Sequence, residues 1–194
     1  MRTTEDSVRE MIERAIELAR RFSVWWRLVN SVDFKRYETV VNDHVDFFAP
    51  TLHSLFESFA VITYQLFEDR KRKDTISIPS LINDLVKSDP LLSQYLRSLV
   101  DQHRPVLKKA FAIRCGVYAH RNKNQPPEEI FSAAELSIAE METIVNITKE
   151  IVASLAAATG VDTKEEIIEE IERRGEYSRE DTRLIMEALN KHII

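Results

Sequence analysis

Residues 52–69 read LHSLFESFAVITYQLFED, and this stretch decides the fold class because apolar side chains surround it on nearly every side. A helix with that distribution belongs at the centre of a bundle rather than on its surface. Pro50 suits the first turn of such a helix, which we expect to run to about residue 69. The sequence therefore predicts a core helix with other helices packed around it.

Upstream of this stretch, apolar residues recur at three- and four-residue spacing from Val8 to Val29. That period is typical of one long amphipathic helix over residues 4–29. A second helix is expected over about 35–48. With three glycines, six prolines and few alternating runs of β-branched residues, the whole chain is predicted to be all-α.

Downstream, Ser77 and Pro79 predict the start of a short helix near 80–88, and Ser88, Asp89 and Pro90 predict the start of the next. Pro105 either splits the following region into helices at 91–103 and 105–121 or kinks one continuous helix. The sequence NKNQPPEE (122–129) is expected to be a loop.

The C-terminal part begins with Ser132 and Glu135, whose spacing predicts a capping box for a helix that ends at Gly160. Two shorter helices are expected after it, at 164–174 and 179–193, separated by Gly175. Residues 161–194 hold ten acidic and six basic residues. We therefore expect a helical bundle over 1–160 and an acidic C-terminal helical hairpin appendage over 161–194.

The composition excludes several classes of protein. Of 194 residues, 44% are hydrophobic and 30% are charged, as in an ordinary globular chain. Cys115 is the single cysteine, which excludes an internal disulfide and a cysteine-rich zinc site. No apolar stretch reaches the length of a membrane span, and the N-terminus lacks the apolar core of a signal peptide. These features predict a cytoplasmic protein that does not contact membranes, with no metal site and no cofactor.

Arg114 stands out because it occupies an apolar position. On an ideal helix, Leu107, Ala110, Phe111, Ile113, Val117 and Tyr118 all lie within roughly 100° of it around the axis. A buried guanidinium is costly unless a carboxylate, backbone carbonyls or a phosphate compensates it. The structural interpretation is an ion pair with Glu57, Glu68 or Asp46, and the functional one is a phosphate site.

The surroundings of Arg114 favour an anion. From Gln102 to Pro127 the chain has no acidic residue but six basic ones, although its net charge is −5. A positive field concentrated on one segment is typical of proteins that bind phosphate or RNA. On another face, Ala112, Cys115, Gly116 and Ala119 form a strip of small side chains, which permits close approach by another backbone.

The motif RCGVYAH (114–120) places five residues between Arg114 and His120 and resembles the signature of the HEPN superfamily (higher eukaryotes and prokaryotes nucleotide-binding). The sequence YQLFEDRKRKDTISIPSLI (64–82) is similar to a segment of the abortive-infection-associated, AbiU-like branch. Active HEPN nucleases usually carry asparagine, aspartate or histidine after the arginine, where this chain has Cys115. The likeness covers about residues 1–160 and leaves the acidic tail outside.

This resemblance implies a HEPN-type up-and-down bundle that dimerises and cleaves RNA without a metal, acting in prokaryotic phage defence or a toxin–antitoxin pair. His120 would transfer protons and Arg114 would stabilise the charge on the phosphorane, leaving a 2′,3′-cyclic phosphate and a 5′-hydroxyl. It also implies RNA as a ligand and an antitoxin or a nucleotidyltransferase-like protein as a partner. The candidate phosphate-binding residues are Arg121, Lys123, Lys108, Lys109, Arg70 and Lys71.

The spacing of the two motif residues sets a geometric condition. On one ideal helix they lie about 120° apart around the axis and about 9 Å apart along it. Either the helix ends before His120, or a second subunit completes the site. Two alternatives remain open: a non-enzymatic module that binds a protein partner through the tail or the small-residue strip, and nucleotide binding without cleavage.

Overall fold

The structure is a computed structural model that describes residues 3–69, 76–119 and 127–193. These ranges hold eight α-helices, one π-helical segment and no strand, which confirms the all-α bundle. The helices are α1 (Thr4–Val29), α2 (Ser31–Asp43), α3 (Val45–Phe67), α4 (Ile78–Asp84), α5 (Pro90–Ile113), α6 (Pro127–Ala134), α7 (Ile138–Thr159) and α8 (Lys164–Ile193), and the π-helical segment spans Arg114–Ala119.

Side-chain caps begin several of these helices. At α1, Thr3 accepts a hydrogen bond from the backbone N–H of Asp6, and the Asp6 carboxylate accepts one from the backbone of Thr3. Ser77 caps α4 as expected, with Ser80 as its reciprocal partner. Each box satisfies backbone donors that the first turn leaves without partners.

The predicted cap of α7 is wrong by five residues. Ser137 and Glu140 form the capping box, while Ser132 lies in α6 and Glu135 lies between the two helices with a φ of 46°. Part of the expected loop at 122–129 is also helical, because α6 begins at Pro127; residues 122–126 lie outside the described ranges. Gly160 ends α7 in a left-handed conformation, as predicted.

Two prolines lie inside helices rather than at their ends. Pro50 is in the second turn of α3, not the first, because a turn at His44 ends α2 earlier than expected and lets α3 start at Val45. Pro105 lies within α5, which continues through it, so the continuous alternative is the correct one. A proline costs a helix one backbone hydrogen bond, and side-chain packing on both sides offsets that loss here.

The main core lies between α1, α3, α5 and α7. Residues 151–156 of α7 are buried at every position, which encloses this helix even more fully than α3. Small alanines on α7 permit neighbours to approach it from all sides. The largest fully buried side chains are Phe59, Met11, Leu18, Leu66, Ile78, Ile82, Leu96, Ile113, Met141, Ile144, Ile151 and Leu155.

The expected C-terminal hairpin is wrong, because α8 is one helix of 30 residues. Gly175 does not end a helix; it lies against α1, where an added Cβ would come within 3.1 Å of Ser23 Oγ. Ile167 and Ile171 of α8 belong to the main core, and Met186 belongs to a second cluster with residues of α1, α2 and α3. The division of the chain at residue 160 stays a prediction.

Across the described ranges, the membrane test gives a negative result: none of the helices combines the length and the apolar character that a span requires.

Candidate functional site

Arg114 marks the end of α5 and the first residue of the π-helical segment. Its backbone N–H donates to the carbonyls of Ala110 and Phe111. The sequence predicts an α-helix that continues to residue 121, and the structure replaces its last described turns with π geometry. π segments are rare and widen the helical turn, so they change where the following side chains point. The ideal-helix angles between Arg114 and the residues after it therefore do not apply.

The Arg114 guanidinium lies on an aromatic ring. Its Cζ atom is 4.0 Å from the ring centroid of Tyr64 in α3. At that distance a cation is attracted to the negative face of the ring, with a contribution of about 0.5–2 kcal/mol that grows as water is excluded. Arg114 is half-buried, so one side of the cation is covered by Tyr64 and part of it still reaches solvent.

Tyr64 is itself held from two directions. Its hydroxyl donates a hydrogen bond to the carboxylate of Glu68, one turn further along α3. The edge of the Phe111 ring meets it in a T-shaped contact, with centroids 5.2 Å apart and planes at 79°. These contacts fix the ring that supports the guanidinium.

No carboxylate compensates Arg114 within the described part of the chain. The alternative of an ion pair with Glu57, Glu68 or Asp46 is therefore wrong: the Arg114 side chain contacts Tyr64 and Cys115 instead. Its Nη1 atom donates to Cys115 Sγ at 3.9 Å, and a thiol sulfur is only a weak acceptor. The guanidinium consequently keeps hydrogen-bond donors that a phosphate or carboxylate of a ligand can use.

One position of the small-residue strip has a clear neighbour. A Cβ added to Gly116 would lie 2.8 Å from Ile130 Cδ1, so the glycine admits the side chain of α6 from the same chain. Ala112 is exposed and Cys115 is half-buried, and the side chain of Ala119 is outside the described set. The close approach predicted for this strip is thus made, at Gly116, by a helix of the same chain.

The other candidate residues divide into two groups. Lys108 is exposed on α5. Lys109 is not available to a ligand in the same way, because its Nζ atom contacts Glu140 Oε1 at 2.6 Å and the carbonyl of Glu135 at 3.1 Å. The residues that lie outside the described ranges are His120, Arg121, Lys123, Arg70 and Lys71.

The bond from Lys109 also changes the titration of its partner. It lowers the pKa of the Glu140 carboxyl, and the hydrogen bond from the backbone of Ser137 lowers that pKa further. Charge-assisted bonds favour the ionised carboxylate. Lys109 therefore connects α5 to the start of α7, a structural role that the sequence analysis did not anticipate.

Tyr64 is the main residue of the site that sequence analysis missed. It begins the stretch 64–82 that carries the second resemblance, and its spacing of four residues to Glu68 is compatible with a bond along one helix face. Its contact with Arg114 joins residues 50 positions apart, so no local pattern reveals it.

Metal ligation was searched over the described ranges as well. There, no group of three or more histidine, cysteine, aspartate or glutamate side chains could hold a metal ion.

Comparison with protein families connects this geometry to a known group. The HEPN_AbiU2 family model, described as AbiU2, matches residues 4–177, which include Tyr64, Arg114 and His120. The chain belongs to the HEPN AbiU2 family. Neither curated proteins nor solved structures give a match to the chain.

Membership in the HEPN AbiU2 family confirms the resemblance to the abortive-infection-associated branch. The match is also longer than expected, because it runs to residue 177 and includes the first half of α8. The interpretation of the acidic tail as lying wholly outside the family is therefore wrong. Residues that pack α8 on the core, among them Ile167 and Ile171, fall within the family region.

Proposed function

We propose that this HEPN AbiU2 protein is a metal-independent endoribonuclease that acts in prokaryotic phage defence or in a toxin–antitoxin system. The observation that supports the proposal best is the state of Arg114. It is a half-buried cation, supported by Tyr64, with no carboxylate partner among the described residues. A permanently charged group held in that way is suited to an anionic ligand.

In the proposed reaction, Arg114 binds the scissile phosphate and stabilises the negative charge that develops on its oxygens. His120 removes the proton of the ribose 2′-hydroxyl or donates one to the leaving 5′-oxygen, since an imidazole titrates near neutral pH. The attack of the 2′-oxygen yields a 2′,3′-cyclic phosphate and releases a 5′-hydroxyl. Lys108, exposed on α5, and the bases Arg70, Lys71, Arg121 and Lys123 are proposed to contact neighbouring phosphates.

The proposed assembly is a homodimer in which Arg114 of one subunit and His120 of the other serve the same phosphate. The separation of the two residues along one helix motivates this arrangement. A proteinaceous antitoxin or a nucleotidyltransferase-like protein is the proposed partner that restrains the activity.

The test is cleavage of a mixed RNA pool by the purified chain in the presence of a chelator. We expect wild-type protein to leave cyclic phosphate ends, and Arg114→Ala to cut about 100-fold more slowly or less. His120→Ala should be similarly impaired, while Arg20→Ala, an exposed arginine on α1, should cut at the wild-type rate.

The outcomes separate the candidate functions. If wild type and His120→Ala leave the RNA equally intact, the nuclease proposal fails. Retention of RNA that weakens with salt would then favour binding without cleavage. If retention is also missing, the remaining function is a protein-interaction module.

A further inference from the structure

A second concave surface lies beside the Arg114 site, and we call it the α3–α5 pocket. It has a volume of about 130 Å³ and opens where the C-terminal end of α3 meets α4 and the middle of α5. Its lining residues are Phe67, Asp69, Pro79, Ile82, Asn83, Arg97, Val100, Asp101 and Arg104. None of them belongs to the candidate site described above.

The floor of the α3–α5 pocket is apolar. Phe67, Ile82 and Val100 are all buried, with exposed fractions of 4%, 1% and 7%, and Pro79 adds a flat ring. An apolar cavity of roughly 150 Å³ can hold a benzene ring. The volume and floor of this pocket therefore suit a single planar ring rather than an extended chain.

The formal charge of the pocket argues against a phosphate. Two arginines and two aspartates line it, and these charges cancel. Arg104 is engaged by Asp101, with Nη2 to Oδ1 at 2.6 Å and Nε to the same oxygen at 3.1 Å. A neutral ligand with a polar edge is favoured over an anion.

The hydrogen-bonding groups at the rim define that edge. Arg97 Nη2 donates to Asn83 Oδ1 at 2.7 Å, so the remaining group of this amide, its NH₂, is a donor. Both bonds from Arg104 use Oδ1 of Asp101, and no described residue bonds to Oδ2. With the exposed carboxylate of Asp69, the rim offers two acceptors and one donor.

We propose that the α3–α5 pocket binds a guanine base of the RNA strand whose phosphate meets Arg114; this role on RNA rests on the proposed function. The Watson–Crick edge of guanine carries N1–H and N2–H₂ donors beside the O6 acceptor, which complements two carboxylates and one amide NH₂. Adenine, cytosine and uracil do not offer two adjacent donors.

The position along α5 fits a strand that contacts both places. Arg104 at the pocket and Arg114 are ten residues apart on one helix, which corresponds to about 15 Å. Phe111 and exposed Lys108 lie between them. A base in the pocket would therefore be separated by a fixed number of nucleotides from the phosphate at Arg114, and cleavage would occur at a set distance from guanine.

The pocket is tested directly with nucleosides and the full chain, without RNA. We expect guanosine to shift the NMR signals of the Asn83 side-chain amide in a saturable way. Adenosine, cytidine, uridine and inosine, which lacks the 2-amino group, should bind at least about tenfold more weakly. Asp101→Asn should lose guanosine binding; its side chain is 64% exposed, so the fold should tolerate the change.

Asp84→Asn is the matched control, since Asp84 neighbours Asn83 but does not line the pocket, and it should bind guanosine as wild type does. Equal binding of all five nucleosides, no saturable shift with any of them, or an unchanged titration in Asp101→Asn would overturn the inference.

A second arm uses short RNAs in which one guanine is moved along the strand. We expect the cut to move with the guanine in wild type and to lose that dependence in Asp101→Asn. Arg114→Ala should abolish cleavage and leave the guanosine titration unchanged. If wild type cleaves RNA but ignores guanosine, only the pocket inference fails. If guanosine binds but no RNA is cut, only the nuclease proposal fails.

Discussion

The ring of Tyr64 is the side chain on which the Arg114 guanidinium depends. A cation above an aromatic face gains about 0.5–2 kcal/mol, and the ring also restricts the rotamers of the arginine. The hydroxyl of Tyr64 bonds to Glu68 rather than to Arg114. The ring and the hydroxyl can therefore be tested separately.

We expect Tyr64→Phe to retain most of the RNA cleavage or binding of wild type, because the aromatic face remains. Tyr64→Leu should reduce it by about tenfold, because the guanidinium loses its support. Single-turnover cleavage gives the rate, and the NMR shift of the Arg114 side-chain N–H reports the loss of ring contact without RNA.

Tyr177 provides a matched control for this experiment, since Arg173 lies over its ring at 5.7 Å on the surface of α8. Tyr177→Leu and Tyr177→Phe should have equal activity. If Tyr64→Leu cuts RNA at the wild-type rate while its Arg114 signal shifts, the ring has no positioning role.

Among single residues, the sequence revealed Arg114 but not its surroundings. Its conflict with an apolar helix face is a local property, so helical periodicity exposes it. The acceptor of its charge is not local: the ion pairs expected with Glu57, Glu68 or Asp46 are replaced by the face of Tyr64. Sequence spacing does not say which side chain of a neighbouring helix will lie opposite.

For whole elements, the sequence was most informative where a helix start has one strong cap. Ser77 begins α4 as predicted, whereas α7 had two candidate boxes five residues apart. Both Ser132 with Glu135 and Ser137 with Glu140 fit the capping pattern, and packing decides between them. Gly175 was misinterpreted for a related reason, because a glycine that ends a helix and one that admits a neighbouring helix look alike in sequence.

The start of α7 gives a prediction on stability. The Glu140 carboxyl has a pKa below its ordinary value because of Lys109 and the backbone of Ser137. A lowered pKa means that the fold favours the ionised form. Its contribution is present above the unfolded pKa of about 4.5 and is lost as the pH falls through the lower folded value.

Glu140→Gln preserves the capping geometry and removes the charge. It should lower Tm at pH 7 by about 2–4 °C, and the difference from wild type should shrink toward pH 3. Thermal unfolding followed by circular dichroism measures both. Glu165→Gln, in the first turn of α8, serves as the exposed control and should follow wild type. A difference for Glu140→Gln that is constant across this pH range would contradict the argument.

In the whole molecule, two apolar clusters connect the chain from end to end. The main core includes residues of α8, and the second cluster brings Met186 of α8 to Leu28, Tyr37 and Phe48. Charge composition alone separates residues 161–194 from the rest, which is why the sequence suggested an appendage. The apolar period within the acidic helix is what attaches it, since one buried face outweighs an acidic exposed face.

The proposed homodimer leads to a prediction that concerns the assembly rather than one chain. Arg114→Ala and His120→Ala should each be inactive alone. If each site combines Arg114 of one subunit with His120 of the other, a mixed dimer of the two variants has one intact site and one doubly altered site. Half of the dimers are mixed after subunit exchange, so an equimolar mixture should regain about a quarter of the wild-type activity.

The complementation requires exchange, so the two variants are mixed, incubated until the subunits redistribute, and assayed for single-turnover cleavage. Mixing each variant with itself is the matched control and should restore nothing. A mixture that stays inactive although mixed dimers are detected would assign both residues to one subunit. The site would then depend on how the chain after Ala119 brings His120 back toward Arg114, because an ideal helix would hold the two side chains on different faces.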